Sequence, residues 1–426
     1  MRRCRAHPRR TRGSTLLAII VLLLLASAAA LASAAHLAQR AHRHAETDAA
    51  ALLAAAKTAL IGYAVAYPET HPGHDAGYLP CPDTANTGST AIGACHERGH
   101  GALGRLPYRT LGLPIPGDGA NPCLWYAVSG SFKHNPKAQT LNWDSPGQFE
   151  IIDSAGRVLG GDGHSAVVAL FAPGAASPGQ NRPPAADTVG AQRCPGSASA
   201  AADLPAFLEP PYGIDLVGEV SIIHGLPGSG VNDIAAWLTV DEVFTAIRQR
   251  PDFSARLDGV LDAAATALRA QLDAPPPPDG SPTFLDIYAE TTFANRAQGR
   301  LPAAAELGIE PAWQAIYDNW RDQLRFVACA DGHACLTATL AESSVSPALA
   351  APEHCRALVL FGGERLRGER PQRRRSEAER ADPAQYLEGG NLASFTHGAG
   401  DYAGFRHYAI AAPDAPAHED LLRCVP

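Results

Sequence analysis

The sequence predicts an α+β protein, with a long N-terminal α-helical spine packed on an antiparallel sheet and a large disulfide-tied additional C-terminal part. Three observations predict it. Ser14 to Tyr67 contains no proline and a single glycine, Gly62, within one helical pattern. After it come short apolar runs divided by turns, in a chain with 40 glycines and 35 prolines. Eight of the nine cysteines lie beyond residue 80, in the part that the spine would carry.

The spine comes first. Ser14 to Tyr67 would be about 80 Å long as a helix, whereas ordinary globular helices run 8–20 residues. Its first half is membrane-grade: Leu16, Leu17, Ala18, Ile19, Ile20 and Val21, then Leu22 to Leu25, then an alanine-rich stretch to Ala35, all uncharged. A bilayer core needs roughly 20 such residues. Ahead of it stand Arg2, Arg3, Arg5, Arg9, Arg10 and Arg12, and no acid precedes Glu46. The positive-inside bias keeps this basic head cytoplasmic and sends the rest outward. A cleaved secretory signal is the competing reading, because Ala32-Ser33-Ala34 suits signal peptidase.

Arg12-Gly13-Ser14-Thr15-Leu16-Leu17 before the apolar run resembles the class III signal of type IV prepilins and type II secretion pseudopilins. The resemblance implies cutting by prepilin peptidase between Gly13 and Ser14, retention of the apolar stretch and methylation of the new N-terminus. Most members carry glutamate at the fifth mature position, where this chain has Ala18. The family's glutamate meets a neighbour's N-terminal amine, and a tip subunit has no neighbour above it to require the pair. The resemblance with this departure implies a minor subunit.

The second half of the spine is amphipathic. Leu52, Ala56, Ala59, Leu60 and Tyr63 share a helical face, with Leu53 beside it, and read as core. His42 and His44 near Glu46 and Asp48 read as solvated surface.

Removing the six arginines of the head takes the formal net charge from −8 to about −14. No phosphate-neutralising patch remains, so nucleic acid is excluded as a partner. Cys4 falls in the cytoplasmic head. Cys81, Cys95, Cys123, Cys194, Cys329, Cys335, Cys355 and Cys424 are an even set in an exported region and read as disulfides. Cys81–Cys95 and Cys329–Cys335 would close short loops, and the pairing of the other four stays open. The spacings do not match a zinc ribbon, and no metal or other cofactor is expected.

Residues 68–120 are turn-rich. Tyr78-Leu79-Pro80-Cys81-Pro82-Asp83, Gly104-Arg105-Leu106-Pro107 and Cys123-Leu124-Trp125-Tyr126-Ala127-Val128-Ser129 resemble segments of a group of large pilin-like proteins, a likeness covering residues 1–250. Asp83 to Gly88 has a faint calcium-loop look, but its third position is Ala85, so a plain turn is the competing reading. Phe149–Asp153 with Arg157–Leu159 reads as a hairpin and Ala166–Phe171 as a strand. Ile214–Ile223 adds strands, and Asp241 would cap a helix from Glu242 to Arg250. A further helix spans Ser254–Leu272, and Pro275 to Pro278 break the chain. Pro311–Phe326 reads as helix, and Val327 to Leu340 as a disulfide-pinned hairpin.

Two stretches echo each other. Ala166–Gly174 and Arg356–Gly363 are both strand then glycine turn, and later come Phe207-Leu208-Glu209 and Tyr386-Leu387-Glu388. A duplicated half-module and chance similarity in an alanine-rich chain both remain open. The arginine-rich loop Arg365–Arg380 reads as solvated, or as a docking patch for an acidic neighbour.

No HExxH, GxSxG, P-loop or GxGxxG is present, so no enzyme is expected, and His164-Ser165 ends a turn. The expected organisation is a leader at 1–13, a transmembrane spine helix at 14–67, a pilin-like head at 68–274 and a C-terminal subdomain at 275–426. The expected role is a minor pilin or pseudopilin of a type IV pilus or type II secretion pseudopilus, at the tip. Its expected partners are other pilins, prepilin peptidase and the inner membrane, which it crosses once with a periplasmic head. The alternatives are a secreted or periplasmic binding protein and a membrane-anchored envelope enzyme.

Overall fold

Alanine and leucine, the strongest helix formers, fill residues 49–56, and the helix they favour is α1 (Ser14–Thr70), 57 residues in one element. The computed structural model describes residues 14–115, 123–138, 140–159, 166–177, 179–182, 194–209, 212–225, 231–343, 345–349, 351–365, 376–410 and 420–426. The chain forms two compact units, Met1–Ala54 and Ala55–Pro426. The described part of the first is helix alone.

In the second unit α1 buries Ala56, Leu60, Ala64 and Tyr67. This stripe is turned slightly from the expected one, since Leu52, Ala59 and Tyr63 are only half-buried. The helix also runs two residues past Pro68. Proline has no N–H for the carbonyl four residues back. Gly77 N–H donates to that carbonyl, Ala64 O, at 2.9 Å, and Arg250 Nη1 donates to the next, Val65 O, at 2.5 Å. The helix end is therefore satisfied from outside.

A first sheet contains β1 (Gly101–Arg105), β2 (Trp125–Val128), β3 (Phe149–Ile152) and β4 (Ala166–Ala172). After α2 (Ala200–Phe207) it gains β5 (Asp215–Leu216), β6 (Val220–Ile223) and β7 (Ile234–Thr239). Its order is β5-β1-β2-β4-β3-β6, with β7 also on β4. Every residue of β4 is buried, as a continuous apolar run at a sheet centre requires. Leu103, Trp125, Phe171 and Ala235 meet Leu204 and Phe207 of α2 on one face.

Next come α3 (Val240–Arg248), α4 (Phe253–Asp273), α5 (Phe284–Tyr288), β8 (Thr291–Thr292), β9 (Arg296–Arg300), α6 (Ala304–Leu307), α7 (Pro311–Trp320) and β10 (Leu324–Cys329). Then follow β11 (Leu336–Ser343), β12 (Ser346–Leu349), β13 (Glu353–Cys355), β14 (Ala357–Gly362), α8 (Glu377–Ala381), α9 (Gly389–His397), β15 (Tyr402–Phe405) and β16 (Asp420–Val425). The second sheet runs β12-β11-β15-β16-β14-β10-β9-β8, with β13 on β11. Helices pack against sheets throughout, so the architecture is α+β. Neither sheet is purely antiparallel, because β3–β6, β11–β15 and β15–β16 are parallel pairs.

Several local expectations are corrected. Residues 327–340 do not form a hairpin: β10 pairs with β9 and β14, whereas β11 pairs with β12, β13 and β15. The Cys329–Cys335 bridge holds a turn between strands that diverge. The helix from Pro311 stops at Trp320, because Leu324 to Cys329 find strand partners on both sides. The cap of α3 is Thr239, not Asp241, in a capping box with Glu242. The 149–159 stretch does fold back, with Leu159 N–H on Ile151 O at 2.8 Å. His164-Ser165 and residues 366–375 of the arginine-rich loop lie outside the described residues.

Candidate functional site

The apolar half of α1 is the chain's most distinctive surface. Leu17 is 66% exposed, Leu22 67% and Leu31 72%, and Ile19, Ile20 and Leu25 are exposed as well. Leu16 and Ala18 lie in the same helix. Gly13 lies outside the described residues, and Ser14 is the first described residue of the helix. Water does not tolerate such a continuous apolar surface, whereas lipid does, provided that every polar group is satisfied internally. Here Ser27 Oγ donates to Leu24 O at 2.9 Å, and Ser33 Oγ to Ala29 O at 2.8 Å.

Among the described residues one helix is long and apolar enough to cross a membrane, and it is α1. Glu46–Thr70 reaches a mean hydropathy of 1.7. That value comes largely from alanines, and Ala56, Leu60, Ala64 and Tyr67 are already buried in protein. Residues 16–35 are the better lipid segment, being uncharged, with Leu17 and residues 19–34 exposed. The arrangement is that of a single-pass, membrane-anchored protein.

The four disulfides fit an extracytoplasmic domain. Cys81 pairs with Cys95, Cys123 with Cys194, Cys329 with Cys335 and Cys355 with Cys424. The last pair ties β13 to the C-terminal strand β16. Among the described residues the one group with metal-ligand proximity is Glu353, Cys355 and Cys424. Its two sulfurs are bonded to each other, so neither is the thiolate that a metal requires.

The Asp83 loop is a hydrogen-bonded turn. Asp83 Oδ1 accepts from Ala85 N–H at 3.0 Å, and Oδ2 from Gly88 N–H at 2.6 Å. Its carboxylate is committed to its own loop, and Ala85 offers no side-chain oxygen for a calcium ion.

Three buried polar groupings have no signature in the sequence, because their members lie far apart in it. Arg105, in β1, pairs with Asp203 of α2, and both are buried. The Arg105 guanidinium also lies 5.2 Å from the Trp125 ring. Asp75 accepts from Trp320 Nε1 at 2.7 Å and lies 3.6 Å from Arg256. Burial raises its pKa, against the lowering effect of those two partners. Asp233, at the entrance to β7, accepts from Glu209 N–H at 3.1 Å. Burial first, and then its hydrogen bond with Glu209, pushes Asp233 up to about 8. Elsewhere a cleft of about 380 Å³ is lined by Glu388, Asn391, Asp401, Phe405 and Asp420.

No family model, no curated protein and no solved structure matches this chain.

Proposed function

We propose that the protein is a minor pilin or pseudopilin, processed between Gly13 and Ser14 and assembled through its N-terminal helix into a type IV pilus or a type II secretion pseudopilus. The observation that carries this reading is the single helix Ser14–Thr70, apolar and exposed in its first half and burying one stripe, Ala56, Leu60, Ala64 and Tyr67, in its second. A signal peptide is discarded. A helix that continues into the core of a disulfide-bonded head instead supports a retained segment. The motif Arg12-Gly13-Ser14 resembles the site that prepilin peptidase cuts, which supports this reading. In lipid, association of such helices rests on close packing rather than on a hydrophobic drive, and small residues such as Ala28 to Ala30 permit it. The head would then be periplasmic and would make lateral contacts, with Ala18 in place of the family's glutamate suiting a tip position.

Mass spectrometry of the N-terminus of protein purified from host membranes tests this reading. An N-terminal Ser14, methylated, is expected. A mature chain starting at Ala35 would overturn the proposal and make the protein a soluble exported one.

A further inference from the structure

We infer that the chain holds two self-contained copies of one helix-and-sheet module, joined head to tail, of which only the first carries a membrane segment. The copies span about residues 52–239 and 260–425. The inference holds however the N-terminus is processed.

The helices that open the copies match in sequence and in burial. Leu52-Leu53-Ala54-Ala55-Ala56-Lys57-Thr58-Ala59-Leu60 in α1 aligns with Val260-Leu261-Asp262-Ala263-Ala264-Ala265-Thr266-Ala267-Leu268 in α4, identical at six of nine positions. Leu53 and Leu261, Ala56 and Ala264, and Leu60 and Leu268 are all buried. Next, Gly-Arg-Leu-Pro occurs twice, at 104–107 ending β1 and at 299–302 ending β9.

The ladders then agree in register. In the first copy β1, β2, β4 and β7 are successive antiparallel neighbours, and Arg105 faces Trp125, Trp125 faces Phe171, and Phe171 faces Ala235. In the second copy β9, β10, β14 and β16 repeat this order, with Arg300 facing Arg325, Arg325 facing Leu360, and Leu360 facing Leu422. A one-residue slip would move every side chain to the other face. At these positions no slip is present, the irregularity of the β4–β7 ladder lying at Ala166/Val168: Trp125, Phe171 and Ala235 pack with Phe207, and Leu360 and Leu422 pack with Tyr386.

The crossover from third to fourth strand also repeats. Each holds a helix, α2 or α8, followed by an aromatic-leucine-glutamate tail. Each helix supplies an acid to the arginine of the Gly-Arg-Leu-Pro motif. Arg105 pairs with Asp203, and Arg300 Nη1 lies 2.8 Å from Glu377. Each copy closes two disulfides, and none joins the copies.

The second copy lacks an apolar lead. Its helix starts at Phe253, directly after Arg250-Pro251-Asp252, a proline between two charged residues. It is anchored through the first copy. Trp143 of the first copy packs on Trp320, with ring centroids 4.7 Å apart, and on Phe361 at 5.8 Å. Asn142 Nδ2 donates to Asn319 O at 2.8 Å, and Tyr78 Oη to Asn319 Oδ1 at 3.2 Å. The first copy contributes the segment after its opening helix and the β2–β3 connection. The second contributes α7 and β14. Different faces of one module thus meet, which is a heterologous contact. The partner that the Asn142–Trp143 face fits is a second copy of its own module, supplied by the same chain.

The test inserts a site-specific protease sequence between Pro251 and Asp252 of the full chain. After cutting, two pieces are expected to separate on a denaturing gel without reductant. In native buffer they are expected to elute as one species with unchanged circular dichroism. The same cut chain carrying Trp143→Ala is expected to dissociate at least tenfold more readily into two folded pieces. Loss of structure in either piece on cutting would overturn the inference. If the insertion itself prevents folding, non-reducing peptide mapping of the unmodified chain decides. Bridges confined within 81–194 and within 329–424 uphold the inference, and a bridge between the two groups sinks it.

Discussion

Asp233 shows how one buried group writes a pH dependence into the fold. It is 1% exposed, and its pKa is about 8 in the folded chain against roughly 3.9 when unfolded. Glu209 and the Arg182 guanidinium are the charged groups that act on it, the first raising and the second lowering its pKa. Between pH 4 and pH 8 the folded chain holds the extra proton, so this group's contribution to stability falls as pH rises through that window. Asp233→Asn keeps the neutral form at every pH. Its melting temperature is expected to match the parent's near pH 3, below the unfolded pKa, and to exceed it increasingly up to pH 8.5. Equal differences at both values would remove Asp233 from the account. The Arg105–Asp203 pair obeys a different rule. Replacing Asp203 by Asn leaves a buried guanidinium without its counter-charge, and such losses run to about 3–5 kcal/mol. Urea unfolding of Asp203→Asn measures this, and a cost below about 1 kcal/mol would mean that water already screens the pair.

At the scale of elements, the opening helices carry the packing. Leu60 and Leu268 are both fully buried, so Leu60→Ala and Leu268→Ala should each cost about 2–5 kcal/mol, read from urea midpoints. The apolar half of α1 makes the contrary prediction. Leu22 faces no protein, so Leu22→Arg should leave the head's unfolding midpoint unchanged. It should instead release the chain from membranes, since an arginine at the centre of a span costs about 2.5–3.5 kcal/mol on insertion scales. Carbonate extraction separates the two outcomes. Periodicity made α1, α3, α4 and β4 legible, because each buries one face or one run of its own residues. It misread residues 311–340, where the helix ends and the strands diverge. There the deciding hydrogen bonds come from β9, β14 and β15, segments distant in the sequence.

At the scale of the whole molecule, the Cys123–Cys194 bridge spans 71 residues. In the chain-entropy view removing it should cost about 4 kcal/mol. The double variant Cys123→Ser with Cys194→Ser is expected to melt well below the parent but to remain in membranes, since the anchor lies elsewhere. Release from membranes would show that anchoring depends on the head. The membrane-grade run, the even cysteine set and the long helix were readable from the chain alone. These follow from composition and short-range spacing, which act along the chain. The pairing of Cys123, Cys194, Cys355 and Cys424, the buried partners of Arg105, Asp75 and Asp233, and the register that relates the two sheets came from the folded chain. Each of those depends on which distant segments come into contact, and contact across a hundred residues leaves no periodic trace in a single chain. The echo between Ala166–Gly174 and Arg356–Gly363 was legible as a hint. It became a repeat of whole modules once the ladders aligned Gly104-Arg105-Leu106-Pro107 with Gly299-Arg300-Leu301-Pro302, because strand register is a property of pairs of strands and not of any one of them.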